Sequence, residues 1–366
     1  MKTQFVLTEV PSSCLRQDDG EYGWMLTGMA DVERADKMAV YGHPDYARTV
    51  RDLVSDLAHQ EHETQRWVVA VPADQPRAVV GLARLTFPLA DNTHMAWSYL
   101  CVHPDWRRRG VGTMLLDWTE AASAEMGRTS WIHWLDLGLP APGAPTVQAP
   151  EGGAIAADTP GWCFASRRGY VLEQVERLSS LAVPVDEALL RRLEDDAAAH
   201  SDGYRLHTWV DDIPVQWRHS FAEMLGGFMT QVPTAGIDYE SQSYDEARLE
   251  DNMRRMAEAG RSCIYAVAEH VATGQLIAAT QLVTYSETAQ TVIQEMTLVM
   301  PEHRGHRLGM AVKIANLRQL ARVRPDVRRV HTGNASENAH MLAINDALGF
   351  RPEGAEATIR KLVGQV

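Results

Sequence analysis

The sequence has few cysteines, fewer basic than acidic residues and no long apolar run, and each of these features argues against a class of protein. Its four cysteines are dispersed without a C-x-x-C pair, which argues against disulfides and against a structural zinc site. No apolar run approaches the roughly 20 residues that span a bilayer, and residues 5–7 are too short for a signal-peptide core. We therefore expect a cytoplasmic protein with no membrane partner.

Positive charge is scarce as well. The net charge is -13, and the 35 basic residues comprise 31 arginines and only four lysines. Nothing in this balance would neutralise a nucleic-acid backbone, so we expect no nucleic-acid partner. The acidic excess mildly favours a cationic small molecule as ligand, with solubility as the alternative explanation. A chain of 366 residues is long enough for two domains of ordinary size.

What the sequence does contain is one stretch that occurs twice. Residues 297–309 predict a buried strand, a basic glycine-bearing turn and the start of a helix, and residues 100–112 repeat that pattern. Four matched pairs fall at a single offset of 197 positions, namely Val102/Val299, Pro104/Pro301, Arg107/Arg304 and Gly112/Gly309. The chain therefore reads as two copies of one unit.

The elements predicted around each copy follow one plan. In the first half we predict strands at 5–10, 67–71, 79–87, 95–102, 131–135 and up to 183, and helices at 31–41, 45–63 and 113–126. In the second half we predict strands at 204–209, 263–269, 275–284, 291–299 and 329–332, and helices at 215–228, 244–259, 310–322 and 336–348. Residues 138–160, rich in Pro, Gly and Ala, predict an irregular insertion.

These patterns predict an α/β protein with mixed sheets, built as two tandem domains that each carry a central mixed β-sheet flanked by helices. We expect the first domain at 1–184, a linker helix at 185–201 and the second domain at 202–366.

The turn of each copy has the chemistry to hold a phosphate group. The first amides of a helix have no internal acceptors, and the helix dipole adds partial positive charge there. In the first copy, Arg107-x-x-Gly110-x-Gly112 opens such a helix, and its glycines allow close approach to the backbone while its arginines attract the anion. A solvated basic cap is the alternative, but two copies in register favour phosphate binding.

The strand, R-x-x-G-x-G/A turn, helix and late Gly-aromatic pair, which is Gly169-Tyr170 in the first copy and Gly349-Phe350 in the second, resemble the GNAT superfamily of acyl-CoA-dependent N-acyltransferases. The two-copy arrangement resembles tandem-GNAT proteins, with a layout similar to that of mycothiol synthases. The resemblance implies that each turn binds the pyrophosphate of coenzyme A, that parting strands hold the pantetheine arm, and that acetyl-CoA or another short acyl-CoA donates its acyl group to an amine without a metal. The cofactor-binding residues it implies are Val102, Arg107, Arg108, Arg109, Gly110, Val111 and Gly112 in the first copy, and Val299, Arg304, Gly305, His306, Arg307, Leu308, Gly309 and Asn338 in the second.

The two copies depart from the family pattern in different ways. The first matches the turn in full, whereas the second has Arg307 where a glycine is usual, which implies weaker binding. Many family members carry a carboxylate base on the strand before the turn. Glu295 lies on that strand in the second copy, and the equivalent residue of the first copy is Ser98. We therefore predict that the second half catalyses and the first is a degenerate copy. A solvent-facing or ion-paired Glu295 is the alternative.

Two further positions of the second half are implied as site residues. The tyrosine that usually protonates the departing thiolate is replaced by Asn345, and by Ala165 in the first half, so neither copy has that acid. Asn345 could hydrogen-bond the sulfur, while a water, His340 or another tyrosine would supply the proton. Asn338 suits a contact with the coenzyme A arm, and an ordinary helix-start residue is an equal alternative.

The resemblance implies that the acceptor pocket is framed by the loop between the first two helices of a copy. In the second half that loop is 230–240, where a carboxylate pair could hold an ammonium group, with a solvated acidic loop as the alternative. The substrate-binding residues predicted there are Asp238, Tyr239 and Glu240.

The sequence therefore predicts an N-acyltransferase that moves an acetyl or short acyl group to a primary amine of a small molecule, as a monomer or homodimer. A non-catalytic acyl-CoA-binding protein and catalysis in the first half remain the alternatives.

Overall fold

The computed structural model describes residues 4–11, 22–58, 60, 62–229, 235–240, 244–285 and 290–364. They form two compact units that are not continuous in sequence. Unit 1 comprises residues 1–176, 235–240 and 354–366, and unit 2 comprises residues 177–234 and 241–353. The division differs from the predicted one at 184 and 202, because the last strand and a six-residue loop of the second half belong to unit 1.

Unit 1 is a sheet with helices on both faces. Its helices are α1 (Gly23–Tyr41), α2 (Val50–Ala58), α3 (Val111–Glu125) and α4 (Pro160–Ser166). Its strands are β1 (Phe5–Glu9), β2 (Glu63–Pro72), β3 (Gly81–Pro88), β4 (Met95–Val102), β5 (Ser130–Leu137), β6 (Thr146–Gln148), β7 (Ala154–Ala156), the first half of β8 (Val171–Ala182) and most of β14 (Arg351–Leu362). The order is β1-β2-β3-β4-β5-β14, in which β4 and β5 are parallel and the other neighbours antiparallel.

Unit 2 repeats this arrangement. Its helices are α5 (Glu187–Ala198), α6 (Val215–Met229), α7 (Glu246–Glu258), α8 (Leu308–Val323) and α9 (Ala339–Leu348). Its strands are β9 (Tyr204–Val210), β10 (Arg261–His270), β11 (Gln275–Tyr285), β12 (Thr291–Val299) and β13 (Arg329–Ala335). The order β13-β12-β11-β10-β9 has one parallel pair, β12 with β13.

Alternating side chains explain why helices cover both faces of each sheet. In β2, Trp67 and Val69 pack in the cluster with α1 and α2, whereas Val68 and Ala70 pack in the cluster with α3. In β10 of unit 2, Cys263, Tyr265 and Val267 likewise pack with α6 and α7, while Ala266 and Ala268 pack with α8. The predicted fold class is confirmed.

Individual elements agree with the sequence to different degrees. β4 and β12 have the predicted bounds, while α1 begins eight residues earlier than predicted and α2 is shorter. The predicted irregular insertion contains the antiparallel ribbon β6–β7, and β14 was not predicted. No helix among the described residues is both long and apolar enough to cross a bilayer.

Candidate functional site

The two basic turns have the same backbone path. Each strand is followed by a 3-10 helix, at Pro104–Trp106 after β4 and Pro301–His303 after β12, and then by the turn and the long helix. The flanking hydrogen bonds repeat as well, since His103 N donates to Val80 O at 3.0 Å and Met300 N donates to Ile277 O at 2.8 Å. The sequence repeat is therefore a structural repeat.

Each turn needs two left-handed residues and supplies one glycine. In the first turn they are Arg108 at φ 62° and Gly110 at φ 93°, and in the second they are Gly305 at φ 87° and Arg307 at φ 55°. Arg307 thus stands where the first copy has glycine, but Gly305 relieves the other left-handed position. The second turn therefore keeps the same backbone shape, although its glycine stands at the first left-handed position rather than the second.

The turns leave helix amides open to a ligand. Neither α3 nor α8 has a side-chain cap at its first residue, so their first-turn N–H groups lack a side-chain acceptor. A Cβ added at Gly110 or Gly305 would meet no atom within 4 Å, which leaves space beside the backbone. An open, basic turn of this kind can hold an anion.

The arginines of the turns make different contacts. Arg107 Nη2 pairs with Asp36 Oδ1 of α1 at 2.5 Å, and Arg109 lies over the Trp106 ring at 4.8 Å. In unit 2, the Arg307 guanidinium Nε lies 3.4 Å from Asp196 Oδ2, and His306 Nδ1 lies 3.2 Å from the backbone oxygen of His200. Arg107 is therefore tied to α1, whereas the second turn is tied to α5 and the residues that follow it.

The parallel strands part at nearly the same place in both units, one residue earlier in unit 2. Pairing of β4 with β5 ends at Ser98 with His133, and pairing of β12 with β13 ends at Gln294 with Thr332. A strand that loses its neighbour exposes backbone N–H and C=O groups. In each unit the two parallel strands are therefore unpaired beyond this point, from Ser98 onwards in unit 1 and from the residue before Glu295 onwards in unit 2.

Glu295 occupies a β-bulge. The register of β12 against β11 shifts between Met296, opposite Gln281, and Gln294, opposite Leu282. Bulges redirect a side chain, and Glu295 is exposed. The pKa of the Cys263 thiol is raised mainly by burial of that thiol, and the charge of Glu295 adds a smaller contribution. The role of Glu295 as base stays a prediction.

Ser98 differs from Glu295 in its surroundings. It is buried on a strand of regular register, with Oγ 2.9 Å from Ile132 O and 2.6 Å from His133 Nδ1. His133 Nε2 lies 3.0 Å from the Tyr170 hydroxyl, and burial lowers the pKa of His133 to about 4. The sequence did not reveal this buried Ser98–His133–Tyr170 chain, because its members are far apart along the chain.

Asn345 is buried between two partners. Its Oδ1 accepts from Lys313 Nζ at 2.9 Å, and its Nδ2 donates to Asn334 Oδ1 at 2.6 Å. Burial lowers the pKa of Lys313 to about 7. Asn338 caps α9, where its Oδ1 accepts from Met341 N at 3.2 Å, so the helix-start role is observed. Sequence reasoning missed Lys313, whose helix position gave no signal beyond its charge.

The predicted substrate loop belongs to unit 1. Asp238 Oδ1 lies 3.3 Å from Arg360 Nη1, and its Oδ2 lies 3.2 Å from His94 Nε2. Glu240 Oε2 accepts from Asn92 N at 2.5 Å, and Glu240 N donates to Asn92 Oδ1 at 2.7 Å. Both carboxylates therefore have partners in unit 1, and the role of this loop in substrate binding stays a prediction.

The third member of the loop, Tyr239, is half exposed at 39%. Its phenol pKa is raised by burial and by the charge of Glu176. Part of the loop, residues 230–234, lies outside the described residues.

Unit 1 contains a cavity of about 390 Å³ that the sequence did not predict. Its lining combines aromatic and charged side chains with Ser98: Tyr46, Trp67, Trp97, Tyr99 and Trp134, and Glu33, Lys37, Arg48, Asp56, Glu63, Arg84 and Glu356. Four donor atoms on this lining have no hydrogen-bond partner among the described residues: Trp67 Nε1, Arg84 Nη1, Trp97 Nε1 and Tyr99 OH. Burial and neighbouring carboxylates raise the pKa of Glu356 to about 8.

Known proteins share this fold. A family model described as "Acetyltransferase (GNAT) family" matches residues 26–141, and a search of curated proteins gives no match. A solved tandem GNAT protein from the clavulanic acid biosynthesis pathway is similar over 99% of this chain and 100% of its own, with 24% identity and a TM-score of 0.74.

Two further solved structures are similar over nearly the whole chain. A GCN5-related N-acetyltransferase from Sphaerobacter thermophilus has 13% identity and a TM-score of 0.63, over 98% of this chain and 95% of its own. A putative acetyltransferase from Pyrococcus horikoshii has 13% identity and a TM-score of 0.51, over 98% and 90%. At these identities the likeness shows the fold.

Proposed function

We propose that this chain, which carries a GNAT acetyltransferase domain and has the tandem GNAT fold, moves an acetyl or short acyl group from acyl-CoA to a primary amine of a small molecule. The observation that carries the proposal is the repeated site. In each unit a basic turn with two left-handed residues opens an uncapped helix beside two parting parallel strands. We expect the enzyme to work in the cytoplasm, without a metal or nucleic acid.

The chain's own groups would hold the donor in two ways. The open amides at the start of α3 or α8 would bind the pyrophosphate, supported by the nearby arginines. The unpaired edge beyond Gln294 in unit 2, or beyond Ser98 in unit 1, would hydrogen-bond the pantetheine arm as a neighbouring strand would.

The chemical step requires a base for the amine, and we assign it to Glu295 in unit 2. Attack on the thioester needs an uncharged amine, so its proton must leave to a carboxylate or through a water. Glu295 is exposed at the bulge where the cleft begins, whereas Ser98 is a buried hydroxyl. We infer that unit 1 is the degenerate copy, which is structural or retains cofactor.

Thiol release from acetyl-CoA, measured with a panel of small-molecule amines, tests the proposal. Glu295→Gln should lower turnover by roughly 10²-fold or more, the usual contribution of a general base, with coenzyme A binding unchanged. Glu125→Gln is the matched control, because that glutamate is exposed at the end of α3. Tight acyl-CoA binding without turnover on any amine would favour a non-catalytic binding protein instead.

A second candidate places catalysis in unit 1, and the cavity beside Ser98 favours it. Tryptophan substitutions in the two clefts separate the candidates. A Cβ at Gly309 would meet Ile344 Cδ1 at 3.2 Å, and one at Gly112 would meet Val102 Cγ2 at 3.8 Å, so an indole would obstruct either cleft. Gly309→Trp should abolish turnover and Gly112→Trp should preserve it; the reverse result would assign catalysis to unit 1.

A further inference from the structure

A buried lysine lies next to the proposed cleft of unit 2. Lys313 is 1% exposed on α8, one helical turn after Gly309 and therefore on the same face. Its ammonium Nζ donates to Asn345 Oδ1 at 2.9 Å, and no ion pair to Lys313 is present among the residues that the structure describes. A charge buried without a carboxylate is costly, and the partners of this ammonium are Asn345 Oδ1 and the Phe350 ring, whose centroid lies 5.6 Å from Nζ.

The lysine is connected to the wall of the cleft. Asn345 Nδ2 donates to Asn334 Oδ1 at 2.6 Å, and Asn334 lies two residues beyond Thr332, the last residue of β13 that pairs with β12. The neighbouring Ile344 lies 3.2 Å from a Cβ placed at Gly309. The row Lys313–Asn345–Asn334 therefore runs from the interior of α8 to the point where the strands have parted.

Unit 1 shows that the fold does not need this polar row. At the offset of 197, Lys313 corresponds to Leu116, and Asn345 corresponds to Ala165, because both stand five residues before the aromatic of the late Gly-aromatic pair. Leu116 and Ala165 are 4% and 5% exposed and belong to one apolar cluster. The same helix interface is thus apolar in one unit and charged in the other.

The donor chemistry of lysine sets the orientation of the amide. An ammonium group only donates, so Asn345 must turn its oxygen towards Lys313 and its NH₂ group away from it. One of the two N–H groups is used by Asn334. The second N–H has no acceptor among the residues that the structure describes.

We infer that Lys313 is a positioning residue for acyl transfer in unit 2: it holds Asn345 so that the second N–H faces the coenzyme A sulfur, and its charge stabilises the departing thiolate. This inference rests on the proposed function. In the step, the amine nitrogen forms a bond to the thioester carbon and the C–S bond breaks, with its electron pair going to sulfur. The amine proton leaves through Glu295 to solvent, and the sulfur takes up a proton from solvent after transfer, which balances the reaction.

The double variant Lys313→Leu/Asn345→Ala tests this role, because it installs the Leu116/Ala165 pair that unit 1 already folds around. We expect normal circular dichroism and retained coenzyme A binding. Turnover at pH 7 should fall roughly tenfold to a hundredfold, the effect of losing a hydrogen bond to a charged group. The ultraviolet absorbance of bound coenzyme A thiolate should report a thiol pKa about one unit higher than in the wild type.

The outcomes are distinct. Turnover and thiolate titration that both survive the double substitution would overturn the inference and leave the pair as packing. A wild-type protein that turns over no amine would overturn the proposed function and this inference with it. A single Lys313→Met variant should reproduce the shift of the thiol pKa, because it removes the charge and keeps the length of the side chain.

Discussion

Gly110 of the first turn and Arg307 of the second occupy the same left-handed backbone position, at φ 93° and 55°. At the other left-handed position, two residues earlier, the residue types are swapped: the first turn has Arg108 and the second has Gly305. Each turn therefore accepts one strained arginine and avoids a second. The backbone shape is shared, although the glycine pattern read from the sequence differs.

Alanine substitutions should show that the glycines serve the backbone. Because a Cβ at Gly110 or Gly305 would meet no atom within 4 Å, Gly110→Ala and Gly305→Ala should each lower the free energy of unfolding by about 1 kcal/mol through the left-handed conformation alone. Urea unfolding measures this. Arg108→Ala and Arg307→Ala are the matched controls and should change stability much less, since those positions already carry a Cβ.

The reciprocal hydrogen bonds between Asn92 and Glu240 should hold the 235–240 loop in unit 1. Asn92 is 1% exposed and left-handed at φ 57°. Asn92→Gly keeps that conformation but removes the acceptor for Glu240 N, so amide exchange at Glu240 should quicken by the equivalent of about 1–3 kcal/mol. Asn92→Ala adds the backbone strain and should also lower stability further. Unchanged exchange in both variants would mean that other contacts hold the loop.

The sequence predicted the bounds of those strands that depend on neighbouring residues alone. β4 and β12 were placed within their observed bounds because each is rich in strand-forming residues and is followed by a proline and a basic turn. The membership of β14 and residues 235–240 in unit 1 was not predictable in the same way. It depends on pairing of β14 with β5 and on the Glu240–Asn92 contact, which join residues more than 100 positions apart.

The candidate site likewise has residues that local sequence predicts and residues that it does not. The turns follow from one repeated motif, and Glu295 follows from its place on the strand before the second turn, so the sequence sufficed to propose them. The Lys313–Asn345 contact joins two helices, and the unit 1 cavity is lined from α1, α2, β2 to β5 and β14. Such sites arise only when separate elements pack together.

The buried Lys313 should make stability depend on pH. Its folded pKa of about 7 lies below the ordinary 10.5, so between these values the unfolded state binds more protons and stability rises with pH. Lys313→Leu/Asn345→Ala removes this effect. The stability of the double variant relative to the wild type should be greatest near pH 6 and should fall by several kcal/mol towards pH 10. Urea unfolding at a series of pH values measures it; a constant difference would contradict a buried charge.

Glu356 should produce the opposite dependence in unit 1. Burial, followed by the charges of Asp136 and Glu176, raises its pKa from 4.5 to about 8, while Lys37 opposes the shift. The folded state then binds more protons than the unfolded state between these values, so this group's contribution to stability is lost as pH rises from 4.5 to 8. Glu356→Gln keeps the shape without the charge, and its stability relative to the wild type should increase across that window.

The measurement for Glu356→Gln is urea unfolding at pH 5 and pH 8, with Glu125→Gln as the control because its side chain is 70% exposed. The control should track the wild type at both values. If the unfolding free energy of Glu356→Gln also equals that of the wild type at both pH values, ionisation of Glu356 costs little free energy, because solvent in the cavity hydrates the carboxylate. A cationic amine bound in the cavity would stabilise the ionised carboxylate of Glu356. A ligand that reduces the difference in unfolding free energy between Glu356→Gln and the wild type at pH 8 would therefore identify the cavity as its site.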